Sequence, residues 1–391
     1  MKKFINVVLV IIASVIVLIY ITGYNYLFRG IQLTYLRGEN GPTIDDGKDF
    51  PSKIISRGNP KPWPIDITYN KQPLSPALQI HLADTKSVSF LVIQHGKILQ
   101  EHYWDGYNKN SSSNSFSMAD AITVLLLGKA IEDGRIQKIN EPFSDFYKEF
   151  SNDQFGKNLT LENLASMQAG IDWPNDQSDP FSKNASMYYG FSVSDIVFKS
   201  QFKQNPGERF EYQSVAPQLL GFAVGRAVQM PLSIYTSAKL WNPLGMEQNA
   251  EWSTDNLGIE KSFCCIHSTT RDFAKIGSLL LNRGKFENIQ WINESFVDQM
   301  ITPSENSNGT YGMGIWVNND SKIHHYYMRG INGQYVIMIP EYDMIIVRQG
   351  NEDSAERDNK DRPKEVEFYI KEAIKFSAKT NPHHNPAKQK R

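Results

Sequence analysis

The chain has 391 residues, of which 40% are hydrophobic, 12% aromatic and 21% charged, with a formal net charge of −1. This is the composition of a globular protein long enough for one large domain or two ordinary ones, and a balance so close to neutral excludes the basic face of a nucleic-acid binder. The two cysteines, Cys264 and Cys265, are adjacent; neighbouring cysteines close a bridge with difficulty, so they read as buried thiols, and no metal-ligand spacing involves them.

Lys2 and Lys3 precede an uncharged apolar run over residues 4–21, and the next charge is Arg29. At 1.5 Å of rise per residue, about 18 residues reach roughly 27 Å, close to one hydrocarbon core. The run is longer than the apolar core of a secretory signal, and no small-x-small cleavage site follows it. The expectation is a cytoplasmic stub at 1–3 and a transmembrane anchor at 4–22, with the body of the protein facing outward. A cleaved signal peptide is the rival reading. No cysteine lies near the run, which excludes a lipoprotein anchor.

Residues 23–74 are rich in Gly, Pro, Asn and charge, with Pro60, Pro62, Pro64 and Pro73 arguing against long regular elements. They read as a spacer that packs partly on the domain behind it. Residues 87–103 read as two strands with a turn at His95-Gly96. The next stretch, 114–134, organises the chain. Polar residues lead into Ser117, and Ala121, Val124, Leu125, Gly128 and Ile131 then recur at the spacing of a buried helix face. A serine at such a mouth is ordinarily a cap. The same geometry can present a nucleophilic hydroxyl to the positive end of the helix dipole. Asp120 follows one turn on, beside that hydroxyl.

From about 136 to 240 the chain turns helical and loop-like, with a short helix closing at Gly170, a Pro206-Gly207 turn and an apolar helix over Val215–Val228. Residues 271–284 form an amphipathic helix, 326–348 three strands with a turn at Pro340–Asp343, and 364–378 a closing helix; the basic tail 377–391 reads as disordered. Strands at both ends with helices between imply an α+β fold: an antiparallel sheet built from the two ends, flanked by helices, with an inserted helical lobe.

Three stretches together resemble the serine β-lactamase and penicillin-binding-protein superfamily, in its class C-like branch that includes esterases, D-aminopeptidases and 6-aminohexanoate-dimer hydrolase. Phe116–Asp120 (FSMAD) stands in the place of Ser-x-x-Lys, Phe210–Ser214 (FEYQS) resembles Tyr-x-Ser/Asn, and 330–350 resembles the Gly-x-x-Gly-Gln strand that replaces Lys-Thr-Gly. The likeness covers residues 75–376, the expected hydrolase domain. It implies a β-lactamase/transpeptidase-like fold and acyl transfer from an amide or ester to Ser117, without cofactor or metal. By the same resemblance Tyr212 lies near the hydroxyl and relays a proton, while Ser214, Asn332, Gly333 and Gln334 line the substrate and oxyanion site. The second oxyanion N–H is then that of Gln334.

Asp120 departs from the pattern. An ordinary aspartate, with a pKa of about 3.9, is a poor base for a serine, and its negative charge opposes an oxyanion nearby. Ser200 and Lys203 also fit Ser-x-x-Lys, but they precede a Pro-Gly turn, so this match is chance; His95, His267, His324 and His325 read as structural or surface residues. Two functions compete. One is a membrane-anchored serine hydrolase, on the extracytoplasmic (periplasmic) side of a bacterial cytoplasmic membrane, that acts on a small-molecule or peptide acyl substrate and is impaired by Asp120. The other is a catalytically inactive member that binds a peptidoglycan-like or peptide ligand, or a protein partner, in the retained cleft. A third, plainer reading leaves Ser117 and Tyr212 as inherited fold features with no ligand.

Overall fold

The computed structural model describes residues 1–174, 176 and 179–380, with side chains as far as Ser377. Its centre is a six-stranded antiparallel sheet in the order β3-β2-β12-β11-β10-β9. The N-terminal part supplies β2 (Ser87–Gln94) and β3 (Lys97–Tyr103). The C-terminal part supplies β9 (Trp316–Asn318), β10 (His325–Gly330), β11 (Gln334–Ile339) and β12 (Met344–Gly350). The two parts meet where β12 pairs with β2, Ile345 opposite Ile93 and Val347 opposite Leu91.

Period-two alternation decides what each face covers. Phe90 and Val92 of β2 join Ile337 and Ile346 under α3 (Pro76–Asp84) and α12 (Lys364–Thr380). Leu91 and Ile93 join Val336, Ile345 and Val347 in the main core on the other face. There α10 (Thr270–Leu281) lies close to the sheet because Gly277 has no side chain: a Cβ would stand 2.7 Å from Val336 and 3.2 Å from Ile345. The helix α4 (Ala119–Glu132) buries all but an edge of its surface. The helical lobe comprises α5 (Leu161–Ala165), α6 (Lys183–Tyr189), α7 (Ser194–Val197), α8 (Val215–Val228) and α9 (Leu232–Thr236). The last helix before β9 is α11 (Glu294–Ile301), after the short hairpin β7 (Lys285–Phe286) and β8 (Ile289–Gln290).

A second, four-stranded antiparallel sheet runs β1-β5-β6-β4, from β1 (Ser52–Ile55), β5 (Ala250–Ser253), β6 (Ile266–Thr269) and β4 (Ser112–Asn114). Through β1 the stretch 23–74 is built into the domain. Trp63 donates its indole N–H to Arg271 O at 2.9 Å, and Ile65 bridges Ile98. That stretch begins with α2 (Tyr26–Leu33), and ahead of it stands α1 (Lys2–Ile21), which buries none of its residues. α1 is 20 residues long with a mean hydropathy of 3.0, long and apolar enough to cross a membrane.

One reading changes against this structure. The cysteines are not thiols: Cys264 and Cys265 form a vicinal disulfide, in a turn where Cys265 adopts a left-handed φ of +75°. At the C-terminus α12 carries helix through Thr380, and residues 381–391 of the expected tail lie outside the described residues.

Candidate active site

Ser117 lies in a one-turn 3₁₀ helix, Phe116–Met118, that feeds directly into α4. Its turn is over-determined. Ser115 N–H donates to Ile266 O at 2.8 Å and Ser115 Oγ accepts from Ile266 N at 3.1 Å, which ties the turn to β6. Asn114 Oδ1 accepts from Phe116 N–H at 2.9 Å. Phe116 is thereby held at φ +43°, a left-handed conformation that a bulky residue adopts only under constraint. The result is a half-buried serine at the mouth of α4.

Asp120, three residues on, points into the protein. Tyr212 donates its hydroxyl to Asp120 Oδ2 at 2.5 Å, and Oδ1, also buried, has no hydrogen-bond partner. Burial drives the Asp120 carboxyl well above the ordinary aspartate range, and the Tyr212 hydrogen bond offsets only part of that. Burial raises the Tyr212 phenol as well, with the neighbouring Asp120 charge second; the nearby Ser117 hydroxyl and Arg329 pull it back. Tyr212 is set by its neighbours in the chain. Glu211 N–H donates to Met167 O at 2.9 Å, and the buried Gln213 amide donates to Ile171 O at 2.8 Å and Trp173 O at 3.1 Å.

The structure therefore brings Ser117, Tyr212 and Asp120 together. Ser214 is buried at the N-cap of α8 without a capping hydrogen bond. The other three candidates lie elsewhere on the β10–β11 turn. Asn332 donates its side chain to Pro42 O at 3.0 Å. Gly333 backs onto Arg348, Glu352 and Asp353. Gln334 is fully buried, its amide donating to Ile331 O, Asn332 O and Gly350 O. The residue that abuts the serine turn is Gly330: a Cβ there would stand 2.4 Å from Ser115 O and 3.1 Å from Phe116 Cβ. Gly330 and Gln334 are register partners across the β10–β11 turn.

Sequence reasoning also passed over three side chains. Trp316 packs 5.3 Å from the Tyr212 ring and 5.1 Å from Tyr311, forming an aromatic wall. Arg329, half-buried and one residue before Gly330, stacks over Trp316 at 5.4 Å and has no ion-pair partner among the described residues. Its place directly before the motif glycine was the available signal. The histidines have structural surroundings: His267 bonds Ser253 Oγ at 3.1 Å, His325 bonds Ile323 O at 2.8 Å and His95 meets Asp343 on the surface.

Residues 78–369 match the sequence profile of the Beta-lactamase family. Among characterised relatives, the 6-aminohexanoate-dimer hydrolase of Paenarthrobacter ureafaciens is 22% identical over 327 residues, covering 77% of this chain and 82% of its own. Among solved structures, a candidate 6-aminohexanoate-dimer hydrolase from Bacillus anthracis superposes with a TM-score of 0.74 at 20% identity, covering 88% of this chain and 94% of its own. A penicillin-binding protein from Bacillus halodurans superposes with a TM-score of 0.59 at 17% identity, covering 76% of this chain and 99% of its own.

Proposed function

Because the chain belongs to the Beta-lactamase family, we propose that it is a membrane-anchored serine hydrolase that transfers an acyl group from an amide or ester to Ser117 and then to water. The observation that carries this reading is the Ser117–Tyr212–Asp120 arrangement, with the short Tyr212–Asp120 hydrogen bond at its core. As the bond from Ser117 Oγ to the substrate carbonyl carbon forms, the serine proton passes to Tyr212 Oη, and the tyrosine's own proton passes to Asp120 Oδ2. When the C–N or C–O bond breaks, the leaving group recovers that proton by the reverse route, and water then cleaves the acyl-serine.

Burial is what makes an aspartate serviceable here. A carboxyl lifted well above its usual range is a stronger base when ionised, and a neutral acid after it takes the proton, so it does not oppose the developing oxyanion. The family's lysine charge is still missing. Arg329 is the cation nearest in effect, acting on Tyr212 in the direction that favours its ionised form. The oxyanion donors are the N–H of Ser117 and, since Gly330 meets the serine turn, the N–H of Ile331. The 6-aminohexanoate-dimer relative and a further relative named for D-alanyl-D-alanine cleavage support a small amide as substrate. α1 supports single-pass anchoring in a bacterial cytoplasmic membrane with the domain outside, on the periplasmic side.

The second reading, a binding protein with a retained cleft, is favoured by one observation: Asp120 has only a phenol for a partner and no cation acts on it. Exposure of the full chain to a reactive ester or a fluorophosphonate, followed by mass spectrometry, separates the two. A hydrolase gives an adduct on Ser117 that Ser117→Ala abolishes. No adduct, with ligand retained equally by both proteins, leaves the binding protein.

A further inference from the structure

The join between α1 and the domain carries apolar rings on the outside of the molecule. Only Thr22–Asn25 separate α1 from α2, and Tyr24 N–H still donates to Ile19 O at 3.0 Å. α2 buries Tyr26 and Leu33 and sets Gly30 against the Tyr189 ring, while Phe28 and Ile31 stay 42% and 43% exposed. Two ring pairs lie there: Tyr20 of α1 is 5.9 Å from Phe28, and Tyr24 is 5.8 Å from Phe181, itself 61% exposed on the loop before α6. No charge occurs between Lys3 and Arg29, and Arg29 turns inward, over the Phe50 ring at 4.4 Å and onto Asp49 O and Asn256.

We propose that this face, Tyr20, Tyr24, Phe28, Ile31 and Phe181, is seated in the headgroup boundary of the same bilayer that α1 crosses, so that the domain is docked on the membrane and does not swing on a tether. The proposal rests on reading α1 as a membrane helix. Lipid is the occupant because the face is covalently continuous with a helix of 20 residues, none of them buried among the described residues. An aromatic-rich surface at that position matches the chemistry of the membrane–water interface. The seat is also coupled to the cleft. Within about a dozen residues of α2, Pro42 O accepts from Asn332 and Ile44 O accepts from Asn114 N–H, on the strand that leads to Ser117.

The test uses the full chain in phosphatidylethanolamine/phosphatidylglycerol vesicles whose acyl chains are brominated near the glycerol end. Tryptophan is introduced singly as Phe28→Trp, Phe181→Trp and Val10→Trp, each measured against the native tryptophan background. Expected is bromine quenching of all three added signals, with Phe28→Trp and Phe181→Trp shielded at least about twofold from acrylamide. If only Val10→Trp is quenched, the anchor holds and the docking fails. If none is quenched, the membrane reading fails and takes the docking with it. If the two domain probes are shielded without bromine quenching, a second copy covers the face and lipid is excluded.

Discussion

Asp120 is a single-residue departure whose meaning depends on its surroundings. On the surface it would be an anion and an obstacle; buried, with a phenol as its one hydrogen-bond partner, it is held toward the neutral acid. The relay requires the ionised form before attack. Activity is therefore expected to rise with pH through the raised Asp120 pKa, a limb far more alkaline than the usual carboxylate value of about 4. Asp120→Asn removes the acceptor and is expected to cut acylation of Ser117 by about 10²-fold or more and abolish that limb. Asp120→Lys restores a cationic neighbour and is expected to exceed the native rate with a nitrophenyl ester. Native-like rates in both variants would take Asp120 out of the chemistry.

Among the elements, the ones with a local signal were legible: the β2–β3 pair about the His95-Gly96 turn, the buried face of α4 and the apolar α8 appear where the pattern puts them. Ser117 and Tyr212 were legible through their motifs. The rest depends on long-range partners that no local period encodes. β1 is a short stretch, SKII, that is a strand because Ala250–Ser253 lies beside it. Trp316 reaches the cleft only because β9 pairs with the outer edge of β10. The choice between Gly330 and Gly333 turns on which end of one hairpin faces the serine, and substitution separates them. Gly330→Ala pushes a methyl into Ser115 O and is expected to slow Ser117 acylation by about 10²-fold, the scale of a misplaced reacting group. Gly333→Ala meets Arg348 at a φ of +75° and is expected to lower stability by about 1–3 kcal/mol while sparing the labelling rate of the folded protein. The reverse pattern would return the oxyanion strand to Gln334.

At the scale of the whole molecule, the N-terminal stretch and the small sheet are held together by buried polar groups that make folding sensitive to acid. The His267 ring on β6 packs against Gly47 and bonds Ser253 Oγ; burial pushes it down to about 4, and the Asp45 charge offsets only part of that. Its unfolded value is about 6.5, so between pH 6.5 and 4 the unfolded chain binds a proton that the native protein refuses. Stability then rises with pH in that window and falls on acidification, by about 2–3 kcal/mol between neutrality and pH 4.5 from this group alone. His325, also lowered by burial, acts in the same direction. The buried pair of Glu101 with Arg271 acts in a separate, more acidic window, because Glu101 is held below its ordinary value and loses its contribution only as pH falls through that lowered value. Chemical denaturation of the full chain in detergent at pH 7.5 and 4.5 measures the sum. His267→Gln, which keeps a hydrogen-bonding group toward Ser253, is expected to be less stable than the native chain at pH 7.5 and to lose about 2 kcal/mol less on acidification. Equal losses in the two proteins would mean that the small sheet opens to solvent around His267 before the domain unfolds.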